Sequence, residues 1–93
     1  MNIPNSDVTE EEIEATREHL ADSLGDANLT GAQLAGEQLS SANFGAADLS
    51  DADLSGSNLQ DASFIGGTLR NADLSDADLI EAKLSGTDLT DAD

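Results

Sequence analysis

The feature that most constrains this chain is a large apolar residue at every fifth position. Leu29, Leu34, Leu39, Phe44, Leu49, Leu54, Leu59, Phe64, Leu69, Leu74, Leu79, Leu84 and Leu89 follow one another without a slip. A helix repeats every 3.6 residues and a strand every 2, so neither keeps a five-residue stripe on one side. A small residue, usually Ala, stands two places before each large one; the exceptions are Glu37, Ser57, Gly67 and Thr87. Asn, Asp or Gln usually fills the place between, and Ser, Thr, Gly or Asp most often the two places after.

A short bent segment that points its first and third residues inward accounts for this pattern. One such unit cannot stand alone. Ordering five residues costs roughly 7.5 kcal/mol at ~1.5 per residue, whereas burying one Leu returns ~1.5–3 kcal/mol. The deficit must be met by stacking turn on turn, which makes a solenoid. Over residues 27–93 the sequence resembles the pentapeptide repeat family, whose pattern is A-(D/N)-L-x-x. The resemblance implies an all-β solenoid, a right-handed quadrilateral β-helix with four units per coil. Phe44 and Phe64 are twenty residues apart and would then stack. Thirteen units make just over three coils, about 16 Å tall at ~4.8 Å per rung.

Residues 1–25 form a separate segment. Thr9 with Glu12 reads as a capping box, and Glu10, Glu11, Glu12 and Glu14 suit the positive end of a helix dipole. Ile13, Leu20 and Leu24 make one apolar stripe, Val8 could staple it, and Gly25 is a stop signal. The expectation is a helix over about 10–23 that caps the first coil of a 26–93 solenoid, because an uncovered edge recruits other chains. No second helix follows Asp93, which leaves a continuation of the chain or a homodimer through the last coil to cover it.

Charge bounds the function. Twenty acids stand against three bases, for a net charge of −17, which opposes direct contact with nucleic acid or an anionic membrane. No cysteine is present, so disulfides and thiolate metal sites are excluded. The start, MNIPNSDVTEEE, has no signal-peptide pattern, and the default expectation is a cytoplasmic protein. Asp51-x-Asp53-x-Ser55-Gly56 copies half of an EF-hand loop, but Ala62 stands where the loop needs Glu. Asn28-Leu29-Thr30 is a glycosylation sequon that the repeat generates by itself. His19, the only histidine, reads as a surface or cap-interface residue. No nucleophile–base pair, phosphate loop or cofactor motif is visible, so the chain reads as a non-enzyme without a cofactor.

Sorting units by side gives one sharp inference. Face one, on Leu29, Leu49, Leu69 and Leu89, carries Asp48, Asp51, Asp88 and Asp91, with Arg70 among them. Face two, on Leu34, Leu54 and Leu74, carries Asp53, Asp73 and Asp76. Face three, on Leu39, Leu59 and Leu79, carries Asp61, Asp78 and Glu81. Face four, on Phe44, Phe64 and Leu84, carries no acid. Phe44, Phe64, Ile65, Lys83 and, around the corner, Ile80 therefore mark a face expected to pack on a protein partner, a second subunit or a further part of the chain.

Two accounts of the acidity compete. Some members of the family resemble duplex DNA and bind type II topoisomerases, conferring quinolone resistance. Residues 26–93 hold 13 acids and two bases. Their net −11 over about 16 Å is one charge per ~1.4 Å, near the ~1.7 Å of duplex DNA. Asp48, Asp51, Asp53, Asp73, Asp76, Asp88 and Asp91 would be the mimicking acids. The rod is shorter than such mimics, and the acids also crowd the helix. Solubility at high salt, as in a halophile, explains both segments and leaves a scaffold or interaction module as the function; the third alternative is a repeat domain of a larger effector or enzyme, cut at residue 93.

Overall fold

In a computed structural model of the protein, the described residues are Ile3, 10–17 and 27–93. Residues 27–93 form a four-sided stack. Each unit makes one parallel bridge to the residue twenty places on: Asn28 to Asp48 to Thr68 to Asp88 on face one, Gln33 to Asp53 to Asp73 on face two, Gln38 to Asn58 to Asp78 on face three and Asn43 to Ser63 to Lys83 on face four. The twenty-residue register puts four units in each circuit, as the sequence implies. We call residues 27–46, 47–66 and 67–86 the first, second and third tiers.

One unit, Ala52 to Gly56, shows where its backbone donors go. Ala52 N–H closes a turn onto Leu49 O (3.0 Å), Asp53 N–H reaches down to Ala32 O (2.9 Å), and Leu54 and Gly56 N–H reach up to Asp73 O (2.8 Å) and Ser75 O (2.9 Å). Only Ser55 N–H has no main-chain acceptor, and the Asp53 Oδ1 takes it at 3.0 Å. All five donors are satisfied, as buried and half-buried main chain requires. The same side-chain bond recurs from Thr30 to Asn28, Gly45 to Asn43, Ser50 to Asp48, Gln60 to Asn58 and Ser75 to Asp73. The second place of the unit is therefore an acceptor slot, which is why Asn and Asp fill it.

The fifth place turns each corner. Thirteen consecutive corners, from Gly31 to Asp91, have φ between 57° and 72°. Five are glycine; the others are Ser41, Ala46, Asp51, Asp61, Asn71, Asp76, Glu81 and Asp91. A positive φ at the third residue only, with the first carbonyl accepting from the fourth N–H, is the sign pattern of a type II turn. Asn and Asp tolerate it better than most residues with a Cβ.

The first and third places of each unit point inward. Ala32, Leu34, Ala42, Phe44, Leu54, Leu59, Ala62 and Leu69 are all fully buried. The Phe44 and Phe64 rings stack with centroids 5.2 Å apart and planes 8° apart, as their spacing predicts. Polar residues in the inward first place bond to nearby carbonyls: Ser57 Oγ donates to Leu54 O (2.6 Å) and Thr87 Oγ1 to Phe64 O (2.7 Å). Glu37, in the same place of the first tier, is half-buried. Burial fades along the stack: Leu29 and Leu49 are 0% and 1% exposed, and Leu89 is 41%.

The helix α1 runs Glu10–Arg17. Its Ile13 is 1% exposed and belongs to the same core as the solenoid leucines, with Ile3 packed against it. The remaining turns expected up to residue 23, with Val8, Thr9, His19, Leu20, Leu24 and Gly25, lie outside the described residues.

Candidate interaction surface

Face four differs from the others in what fills its acceptor slot. Asn43 bonds Gly45 N–H at 2.9 Å, and Ser63 manages only 3.4 Å to Ile65 N–H. Lys83 has no acceptor atom at all. Elsewhere the slot holds an oxygen-bearing side chain at every unit. The corner that follows, Ala46, Gly66 and Gly86, bears almost no side chain, and a Cβ on Gly66 would meet nothing within 4 Å. Out of this bare face stands Ile65, 45% exposed. Ile80, 63% exposed, stands at the opposite edge. The corner units there continue to Asp61 and Glu81, so acids border the face on that side. Phe44 and Phe64 form its buried backing and reach no solvent. Lys83 is exposed.

The acids of the other faces occupy two structural places. Asp48, Asp53, Asp73, Asp78 and Asp88 fill acceptor slots, and Asp51, Asp61, Asp76, Glu81 and Asp91 sit at left-handed corners. Their slot bonds hold several carboxyls below the ordinary carboxylate range. For Asp48 the main cause is the Ser50 N–H. For Asp73 and Asp88 it is the hydroxyl of Ser75 and of Thr90, followed by the N–H of the same residue. The Gln60 amide, donating at 2.6 Å, does the same for Asp78. Arg70 lies 3.8 Å from Asp88, with both side chains about half exposed, so the pair adds little stability. On face two Asp53 and Asp73 occupy successive rungs. Of the mimicking acids expected from sequence, Asp48 and Asp88 therefore share face one with corners Asp51 and Asp91, and Asp53, Asp73 and Asp76 share face two.

Among the described residues no buried polar side-chain atom lacks a partner. None of their acids form a group arranged to hold a metal ion. No described helix is long and apolar enough to cross a membrane. Sequence reasoning read the second-place aspartates as outward charge alone and missed their main-chain bond. The signal was present, since Asn, Asp, Ser and Thr interchange there and all carry an acceptor.

Comparison with known proteins agrees with this geometry. A family model described as pentapeptide repeats, in eight copies, matches residues 23–61 and 57–93. No curated protein matches. Among solved structures, a pentapeptide repeat protein of the Arabidopsis thaliana thylakoid lumen aligns at 34% identity with a TM-score of 0.62, over 66% of this chain and 43% of that one. A pentapeptide repeat protein from Nostoc aligns at 25% identity and a TM-score of 0.51, over 90% of this chain and 74% of that one. Another, from Cyanothece, aligns at 30% and 0.51, over 76% and 60% of the two chains. The chain thus spans less than half the length of the Arabidopsis protein. The fold is the right-handed quadrilateral β-helix of these neighbours, a repeat fold whose family is generally non-enzymatic, and the chain belongs to the pentapeptide repeat family.

Proposed function

We propose that this protein is a rigid interaction module that docks on a protein partner through face four. The observation that carries the reading is Lys83, a residue that cannot do the work of its slot, on the one face free of acid and beside the exposed Ile65. Places where a local structural rule is broken without compensation are where function is expected. The tiers are the coils of the solenoid, just over three in number, and α1 closes the open end of the first by inserting Ile13. The acids on the other faces keep the scaffold hydrated and soluble at high salt.

A photo-crosslinking residue at Ser85 on face four, and separately at Ser50 on face one, tests the docking face in cells of the source organism. A discrete adduct from Ser85 alone, lost in the Ile65→Asp/Ile80→Asp variant, is the expected result. Equal adducts from both positions would refute it. The second reading is a DNA mimic acting on a type II topoisomerase, and the charge density of the repeat supports it. Full folding at low salt together with inhibition of gyrase supercoiling would decide for mimicry. Folding only in molar salt, with gyrase unaffected, would decide for the high-salt scaffold.

A further inference from the structure

Acids are unevenly distributed along the stack as well as around it. The second tier carries Asp48, Asp51, Asp53 and Asp61 outward, and the third carries Asp73, Asp76, Asp78 and Glu81. The first tier carries none in an outward place. Its acceptor slots hold Asn28, Gln33, Gln38 and Asn43, and its corners hold Gly31, Gly36, Ser41 and Ala46. Glu37, its one acid, occupies an inward place.

The fold does not demand this neutrality. Asn28 and Asn43 accept from Thr30 and Gly45 at 3.1 and 2.9 Å, and Asp48 and Asp53 accept from Ser50 and Ser55 at 3.0 Å. Asn and Asp therefore serve the slot equally well, and Gln38 accepts instead from the Asn58 amide of the next tier at 3.1 Å, an acceptor role that a carboxylate can also fill. In a chain with twenty acids, the neutral tier adjoins the chain's other acidic element. Helix α1 reads EEEIEATR. Glu11, Glu12 and Glu14 are exposed around the buried Ile13. On the reading of α1 as its lid, a carboxylate in each first-tier slot would add four like charges to the tier that the helix covers.

We infer, on the reading of α1 as the lid of the first tier, that this uncharged tier is an electrostatic dock for the acidic helix, and that charging it would make lid closure depend on salt. Among the described residues, Ile13 is the apolar anchor of α1 in the core against which Ile3 also packs, and it holds the lid. An uncharged dock adds no opposing charge to the lid; repulsion from a charged one would be screened over about 10 Å at 0.1 M salt. In a charged dock, lowering the salt would lift the lid before it disturbs the inner tiers.

The test uses amide hydrogen exchange on the full chain. The Leu34 and Leu39 amides bond across from the first tier to Asp53 O and Asn58 O, and Leu54 and Leu59 report the next layer. One variant charges the dock with near-isosteric changes: Asn28→Asp, Gln33→Glu, Gln38→Glu and Asn43→Asp. A control adds the same charge farther along: Ser63→Asp, Thr68→Asp, Asn71→Asp and Ser85→Asp. Both are measured at the lowest KCl that keeps the parent folded, and again at least about 1 M higher, where the Debye length is about 3 Å or less. Exchange at Leu34 and Leu39 should rise about tenfold or more in the dock variant at low salt, return to the parent rate at high salt, and stay at the parent rate in the control. Equal acceleration in both variants, or none in the dock variant, overturns the inference. Ile13→Ala separates the two layers of the argument. If it leaves Leu34 and Leu39 protected, the lid reading itself falls. If it exposes them while the dock variant does not, only the electrostatic inference falls.

Discussion

Of the four leucines in equivalent places on face one, Leu49, Leu69 and Leu89 differ most usefully in position along the stack. Leu49 and Leu69 are 1% and 0% exposed, and Leu89 is 41% exposed. Changing Leu to Ala removes about three methylene equivalents, or ~2.4 kcal/mol of transfer free energy at ~0.8 each. At Leu49 and Leu69 the neighbouring rungs cannot collapse into the space, so a cavity contribution adds and the loss reaches about 2.7–5 kcal/mol. At Leu89, with three fifths of its surface covered, about 1.4 kcal/mol of transfer is lost and no cavity forms. Urea titrations of Leu49→Ala, Leu69→Ala and Leu89→Ala, followed by far-UV circular dichroism at one fixed high KCl concentration, measure the three losses. The interior pair should agree within about 0.5 kcal/mol, and both should exceed Leu89→Ala by at least about 1.3 kcal/mol. Three equal losses would refute nearest-neighbour stacking as the source of stability. A Leu89 loss as large as the other two would mean that something covers that rung in solution.

The corners predict a reciprocal pair: Ala46→Gly, relieving φ 61°, should raise stability by about 0.5–1 kcal/mol, and Gly56→Ala at φ 66°, with open space around its Cβ, should lower it by about 1 kcal/mol through the backbone alone. Thermal melts of both variants check this, and equal effects of the same sign would overturn it. Gly67→Ala should cost about 1–3 kcal/mol, because its Cβ would lie 2.6 Å from the Ala47 carbonyl oxygen; denaturation midpoints decide. The slot bonds depress the carboxyls of Asp48, Asp73 and Asp88, so their contribution is present above the unfolded pKa of about 3.9 and is lost as pH falls through the lower folded values. Asp73→Asn keeps the acceptor, so it should hold stability at pH 7 and flatten the loss between about pH 4 and 2, whereas Asp73→Ala should lower stability at both ends. An Asn variant with the parent's pH profile would show that the bond to Ser75 does not govern the shift.

Much of the molecule was legible in its sequence because the period is a property of the main chain and every unit repeats it. The inward pairs follow from counting; the twenty-residue circuit came from the resemblance to the pentapeptide repeat family, and the Phe44–Phe64 stack and the acid-free face follow once that circuit is applied to the sequence. Two features came from neither. The left-handed corner was visible only as a mixture of Gly, Asp, Asn and Ser, because Ala46 and Glu81 blur what five glycines suggest. The acceptor slot was hidden because an aspartate bonded to its own unit and an aspartate free in water have the same letter. Once the slot is known, Lys83 and the neutral first tier acquire meaning, since both depart from a local requirement or use a freedom that it leaves.

The left-handed corners have a consequence for how the chain avoids its own kind. Cross-β assembly needs six or seven consecutive residues extended in one line. Between Gly31 and Asp91 no two successive corners are separated by more than four residues. Each rung therefore offers one short bridge and then turns away, and no side is long enough to template a zipper. A molecule built almost wholly from parallel β pairing carries its protection against amyloid in its backbone, and does not depend on its charge to keep it.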